Sequence, residues 1–402
     1  MARYLAIPRY DPVLGTLSMV EVALTPEARG AQVSRVIEAR RQTRGGGLPR
    51  RMLRSAKVVA HPEDTLPVTG AMVLELDDPS EVASLRASLP DYEVHEDLPL
   101  SLIRPVKASE GVTEGPPDTW HLDAIALAAA RATGFVGAGE GVGVAVLDTG
   151  VAEVEEIAGR VVSSFRLDPE TQQPVACPTE DTEGHGTHVA GLVAGRTVGV
   201  APGADLMNYI MLPGALGYIS DFIYAIDFVA QRPEIAILNM SAGIPGYNGA
   251  MKQAIGMVRR MGVLPVVAIG NEGANLTRSP GNYADVLSVG AATREATVAS
   301  FSGGGAMVAD AQSYDVPDLV GPGKGVTSCV MGGGYEAWNG SSMATPIVSG
   351  VAALILERHP TMALSDLVEA VMSVLKPLAD VPPARQGGGM VQLPPELWQL
   401  VG

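Results

Sequence analysis

Three short stretches of this 402-residue chain carry the residue types that nucleophilic acyl transfer requires. The apolar run Gly143-Val144-Ala145-Val146-Leu147 ends in Asp148, with Thr149-Gly150 behind it. Gly184-His185-Gly186-Thr187-His188-Val189-Ala190-Gly191 sets a histidine at the opening of a helix. Gly340-Ser341-Ser342-Met343-Ala344-Thr345-Pro346 sets two hydroxyls ahead of an apolar helix that runs to about Leu356. A serine hydroxyl is a poor nucleophile until a base takes its proton, and a histidine base needs a buried carboxylate to fix its tautomer and stabilise its imidazolium. Each stretch taken singly has a plainer reading. A strand-terminal Asp caps a turn, a lone His satisfies a local hydrogen bond, and Ser after Gly is an ordinary helix N-cap. Residue type alone does not choose between Ser341 and Ser342.

The elements that would position these residues follow a regular pattern. Gly143–Asp148, Glu234–Met240 and Val263–Ile269 are almost wholly apolar, as strands covered on both faces of a parallel sheet are. Helical stretches such as Asp221–Ala230 and Gly249–Met261 lie between them, which predicts a doubly wound, mostly parallel α/β sheet. In such sheets reactive groups collect beyond the carboxyl ends of the strands, and Asp148 closes the first of these. Ahead of this body, residues 111–119 (Gly-Val-Thr-Glu-Gly-Pro-Pro-Asp-Thr) read as a linker by composition. The first 110 residues have a different rhythm. Leu5–Ile7 or Met19–Leu24 supplies a strand, Pro26–Arg41 a helix with Val33 and Ile37 on one face, and Arg40–Arg54 an exposed loop. Ala71–Leu76 is a strand, Pro79–Ala87 a helix capped by Asp77-Asp78, and Tyr92–Leu98 a last strand. The order βαββαβ predicts a small α+β domain, followed by the 111–119 linker and a larger domain over 120–402.

Composition narrows the function classes. Hydrophobic residues make up 47% and aromatics only 4%, with 47 Gly and 30 Pro, so the interior is built of small side chains joined by many turns, as in an α/β enzyme. The formal net charge is −16. Residues 1–110 carry 14 basic and 15 acidic groups while 111–402 carry 14 and 29, so the later part repels nucleic acid and no nucleic-acid partner is expected. Cys177 and Cys329 cannot form a disulfide framework and read as thiols of a reducing compartment. The run Met1–Arg9 lacks the apolar core of a signal peptide, and no later stretch reaches membrane-spanning length. A soluble, cytoplasmic protein is the expectation, with export lacking a recognisable signal as the alternative.

Taken together and in order, the three stretches resemble the subtilisin-like serine protease family, whose triad runs Asp, His, Ser. The spacing is 37 residues from Asp148 to His185 and 157 from His185 to Ser342. Trp120–Ile125 with Ala132–Gly141 resembles the opening of the family's catalytic domain, and Gly387-Gly388-Gly389-Met390-Val391 its close, so the resemblance covers about the last 285 residues. It implies a serine endopeptidase working through an acyl-enzyme, with Asp148, His185 and Ser342 as the triad. Ser342 is selected because the family's nucleophile directly precedes Met-Ala. His188 becomes a structural histidine. Ala268-Ile269-Gly270-Asn271-Glu272-Gly273 resembles the oxyanion loop, with Asn271 as donor. Ser241-Ala242-Gly243 resembles a substrate-binding strand and Leu216-Gly217-Tyr218 the facing edge, so that an extended peptide pairs with both. Gly243 and Gly270 would leave room for a side chain in the first pocket, with Glu272 nearby.

The same resemblance gives residues 54–104 as the core of a ferredoxin-like inhibitory propeptide, packed on the catalytic domain with its tail through the active site. It implies a self-inhibited precursor that cuts itself within Ser101–Glu114, outside the Arg104-Pro105 bond. No cofactor is implied. Calcium would need a ligand cluster, for which Asp181 and Glu183 are no more than candidates, and acidic surface residues solvate more often than they chelate. Two other readings share the scaffold: a catalytically silent peptide-binding module, which loss of Asp148, His185, Ser342 or Asn271 would favour, and a peptide ligase or cyclase, in which an amine takes the acyl group.

Overall fold

The computed structural model describes residues 2–9, 23–43, 56–58, 65–108, 111–309 and 311–393. Its centre is a ten-stranded sheet in which β7 (Gly143–Asp148) lies between β10 (Asp205–Ile210) and β12 (Ile235–Met240), and β12 pairs in turn with β14 (Leu264–Ala268), all parallel. The apolar runs are strands because both faces are covered. Val144 and Val146 pack with the helices His185–Ala194 and Ser341–Arg358 on one side, while Ala145 and Leu147 pack with Ile219–Ala230 and Gly249–Arg260 on the other. This is the doubly wound arrangement that the alternation of strand and helix predicts. The register sets Leu147 beside Met240 and Met240 beside Val267. Adjacent strands therefore release their chains on one edge, and the loops carrying Asp148, Ser241 and Asn271 meet there.

The N-terminal part runs β1 (Ala2–Pro8), a helix (Pro26–Thr43), β2 (Ala56–Val58), β3 (Met72–Leu76), a helix (Val82–Ser88) and β4 (Tyr92–Glu96), the expected βαββαβ order, with β2 on residues not assigned to any strand from sequence. Of the two candidate first strands, Leu5–Ile7 is the one used. Residues 19–22 and 44–54, which held the other candidate and most of the proposed loop, lie outside the described residues. The sheet order is β2-β3-β1-β4, with β1 antiparallel to both neighbours. The unit is thus larger than a core of 54–104, because its central strand comes from residues 2–8. One face, with Tyr4, Ala6, Met72 and Leu74, packs with Leu85 of the second helix and with Leu89 just after it. Leu5, Ile7 and Val73 of the other join the cluster around Phe222, Ile226, Met251 and Ile255 of the large body.

That seam carries polar contacts as well. Buried Asp227 accepts hydrogen bonds from Val68 N (3.0 Å), Thr69 N (2.6 Å) and Thr69 Oγ1 (2.9 Å). Asp97 accepts from Ser220 N (2.8 Å) and Ser220 Oγ (2.7 Å). The first helix reaches across too, with Arg29 donating to the Pro233 carbonyl. No helix among the described residues is long and apolar enough to cross a membrane. Both cysteines are free; Cys329 is buried, which pushes its thiol up to about 12, while Cys177 is half-buried.

Candidate active site

Asp148 ends β7 with no exposed surface, and its Oδ1 lies 2.7 Å from His185 Nδ1 while accepting Thr149 N at 2.7 Å. The His185 helix comes this close because Gly186 has no side chain: a Cβ there would lie 1.9 Å from the Gly150 carbonyl oxygen. Asp181 fixes the start of that helix. Its carboxylate accepts from Glu183 N, Gly184 N, Thr187 N and Thr187 Oγ1, and from Thr149 Oγ1. Its oxygens accept helix-terminal donors, so Asp181 acts as a cap. Among the described residues no group of His, Cys, Asp or Glu is placed to hold a metal ion.

Ser341 and Ser342 open the other helix, and the structure gives them different surroundings. Ser341 donates its N (2.8 Å) and Oγ (2.9 Å) to Asn271 Oδ1. The amide is thereby turned so that Nδ2 faces the cleft, where it donates to the Arg104 carbonyl at 3.2 Å. Ser342 Oγ donates to the Ile103 carbonyl at 2.8 Å. His185 Nε2 is buried without a hydrogen-bond partner, so the imidazole is linked to Asp148 and open on its other side. His188 is also buried, which pulls its imidazole down to about 3, and Trp338 stacks on it with centroids 4.2 Å apart. His188 Nε2 lies 3.0 Å from the Glu336 carbonyl oxygen. A neutral, packed ring of this kind holds structure.

The cleft is filled by the chain itself. Pro99–Leu102 (β5) is a strand between β11 (Leu216–Tyr218) and β13 (Ala242–Pro245), antiparallel to both. Leu216, Gly217 and Tyr218 stand opposite Ser101, Leu100 and Pro99, while Ala242 and Gly243 stand opposite Leu102 and Ser101. The Ser241 carbonyl accepts Ile103 N at 3.0 Å. Beyond the serine, β6 (Val106–Lys107) pairs antiparallel with the Tyr335–Asn339 strand, and Thr113 makes a further bridge to Tyr335. Asp118 pairs with Arg294. Composition marked 111–119 as a linker, yet its ends are fastened to the large body. A Gly- and Pro-rich sequence signals the absence of a regular element and says nothing of single bridges.

One residue missed by the sequence reading lines the floor. Arg278 donates through Nη1 to Ser101 Oγ (3.0 Å) and to the Gly243 carbonyl (3.0 Å), and its Nη2 pairs with Glu272 at 2.6 Å. Glu272 sits against Gly270, where a Cβ would lie 2.7 Å from Glu272 Oε2. The signal was a charged residue directly before the Ser279-Pro280-Gly281 turn, where a loop residue otherwise reads as solvated.

An imidazole–carboxylate pair lies at the end of a doubly wound sheet, beside a cleft that holds peptide as an added strand against Ser342; this is consistent with the layout of a serine endopeptidase. The chain belongs to the subtilase family, peptidase S8, whose model matches residues 139–388. It is 34% identical over 307 residues to alkaline elastase YaB of Bacillus sp. (strain YaB), covering 75% of this chain and 72% of that protein. It is 35% identical over 248 residues to subtilisin BL of Lederbergia lenta, covering 60% and 85%. With the subtilisin-like protease PopC of Myxococcus xanthus (strain DK1622) it shares 32% over 349 residues, covering 77% and 72%. The chain is accordingly a serine protease, a hydrolase of peptide bonds.

Proposed function

We propose that this chain is a self-inhibited endopeptidase precursor in which Ser342 is the nucleophile, His185 its base, Asp148 the orienting carboxylate and Asn271 the oxyanion donor. Its N-terminal unit is the inhibitor, and the first bond it cuts is Ile103-Arg104. The observation that supports this reading is the 2.8 Å contact of Ser342 Oγ with the carbonyl of Ile103, the last residue of the segment held between β11 and β13. In the reaction Ser342 Oγ turns from that carbonyl oxygen to the open His185 Nε2 and passes it the hydroxyl proton. Oγ then attacks the Ile103 carbonyl carbon. The developing oxyanion moves toward Asn271 Nδ2 and the Ser342 backbone N–H. Collapse breaks the C–N bond, His185 returns the proton to the Arg104 nitrogen, and water repeats the sequence to free the Ile103 carboxylate. The Asp148 contact stabilises the imidazolium in both halves.

The test is intact-mass analysis and N-terminal sequencing. Wild-type protein should yield a new N-terminus at Arg104, and Ser342→Ala should stay full length and unlabelled by a fluorophosphonate. Labelling that survives Ser342→Ala and vanishes in Ser341→Ala would transfer the nucleophile to Ser341.

A further inference from the structure

The segment beyond the serine shows a contact that none of these roles uses. Lys107 stands directly opposite Trp338 in the antiparallel pair of β6 with Tyr335–Asn339, and its Nζ lies 5.8 Å from the Trp338 ring centroid. Glu336, two residues earlier, projects on the same face of that strand, and diagonal neighbours in an antiparallel pair are within reach of long side chains. Its Oε2 accepts Lys107 Nζ at 2.9 Å. The two partners differ sharply in burial, since the side chain of Lys107 is 66% exposed and that of Glu336 only 5%. Among the described residues Lys107 is the only cation paired with Glu336. A carboxylate sunk this far into protein is costly unless a cation meets it. The cation here arrives from the cleft-filling segment, not from the wall.

The wall behind the pair is packed: Trp338 is itself buried, with the His188 ring stacked on it and the His185 ring 6.1 Å away. Main-chain pairing along this edge accepts any sequence, so discrimination has to come from side-chain sites of this kind. A carboxylate beside an aromatic face favours lysine or arginine, is indifferent to small neutral residues and repels glutamate or aspartate.

We propose that Glu336 and Trp338 form a cation-selecting subsite on the leaving-group side of the cleft, which takes a lysine or arginine side chain in the fourth residue after the cut bond. The count rests on the reading that Ile103-Arg104 is that bond, which makes Lys107 the fourth residue. Lys107 is the subsite's occupant in cis, and basic substrates compete for the same place.

The test uses the full-length chain after it has been allowed to process itself, with peptides spanning residues 99–108 that carry Lys, Arg, Ala or Glu in place of Lys107. Mass analysis of products identifies the bond cut. The Lys and Arg peptides should exceed the Ala peptide in kcat/KM by roughly fivefold to tenfold, as expected of one half-exposed ion pair and one cation–ring contact, with the Glu peptide lowest. Glu336→Gln should bring the four peptides within about twofold of one another. Glu336→Lys should invert the order in favour of Glu, a result that general damage to the fold cannot produce. Equal cutting of all four by the wild type, or an unchanged preference in Glu336→Gln, overturns the subsite while leaving the cut bond intact. Cutting at another bond, or none of these peptides cut, overturns the reading on which the subsite rests, and the subsite with it.

Discussion

Replacing Asp227 by alanine should release the N-terminal unit without touching the chemistry. The carboxylate accepts three hydrogen bonds from Val68 and Thr69 across the seam and a fourth from Gln231 Nε2 at 2.9 Å, at the end of its own helix. Val68 is wholly buried and Thr69 is 5% exposed, so neither backbone N–H can turn to water once the acceptor is gone. A buried donor left unsatisfied costs roughly 1–3 kcal/mol, and two such donors therefore cost roughly 2–6 kcal/mol of docking. That range corresponds to a loss of about 30-fold to 10⁴-fold in affinity, since 1.4 kcal/mol is about a factor of ten. Thr69→Val removes the hydroxyl bond to Asp227 and the long contact from Ala71 N (3.4 Å), keeps both backbone donors paired, and should cost about 1.5–3 kcal/mol. The assay follows freshly purified chain by size exclusion with intact mass, alongside hydrolysis of a peptide substrate over time. Wild-type protein should keep its N-terminal fragment after cutting and show a lag. Asp227→Ala should shed the fragment at once and show none, with Thr69→Val between. A variant with wild-type retention and lag would show that this contact does not hold the unit down. A lowered kcat/KM after complete shedding would show that Asp227 acts on the enzyme body instead.

Two further outcomes follow. Asn271→Ala should lower turnover by about 10²–10³ with little change in KM, because its amide meets charge that exists only in the transition state, and Ser341→Ala, which frees the amide to turn, should reproduce a fraction of that loss; an effect confined to KM refutes both. Docking should also weaken as pH rises from 5 to 7. Burial holds the carboxyls of Asp97 and Asp227 above their ordinary values and lifts Asp221 to about 6, so the docked state binds protons that the separated state has lost. Its stabilisation is full below the ordinary value of 3.8 and fades as pH climbs through the raised values. Fragment retention measured at pH 5, 6 and 7 should fall by up to about tenfold per pH unit through Asp221, and retention that rises with pH contradicts the sign.

Much of the catalytic body was legible because burial on both faces leaves a strong mark. Gly143–Asp148 admits almost no polar residue, and its end is fixed by the first charge. The short motifs were legible because they combine chemistry with close packing, as Gly186 does against Gly150. What was hidden depends on partners far away in sequence. Pro99–Leu102 and Val106–Lys107 have four and two residues, too few for a period to show, and their partners lie more than a hundred positions later. The first strand was ambiguous between two apolar stretches, since only pairing with β3 and β4 selects Ala2–Pro8. Asp181 read as a solvated acid, because most of the donors that claim it are backbone groups a few residues on.

The arrangement also bears on which step limits activation. In the proposed reaction the cut leaves both new ends held, the Ile103 side by β11 and β13 and the Arg104 side by the Tyr335–Asn339 strand and the Lys107–Glu336 pair. The new amine thus begins within reach of the acyl group it has just left, at a high effective concentration. Amine attack competes with water until one end moves away, so the first cut is readily reversed. The Ile103 side leaves only if the whole N-terminal unit lifts from helices Ile219–Ala230 and Gly249–Arg260, which exposes Leu5, Ile7 and Val73 and breaks the Asp227 and Asp97 contacts. The barrier to activity accordingly lies in the seam between the two bodies, some distance from the serine, and substitutions there should change the lag far more than the turnover of the freed enzyme.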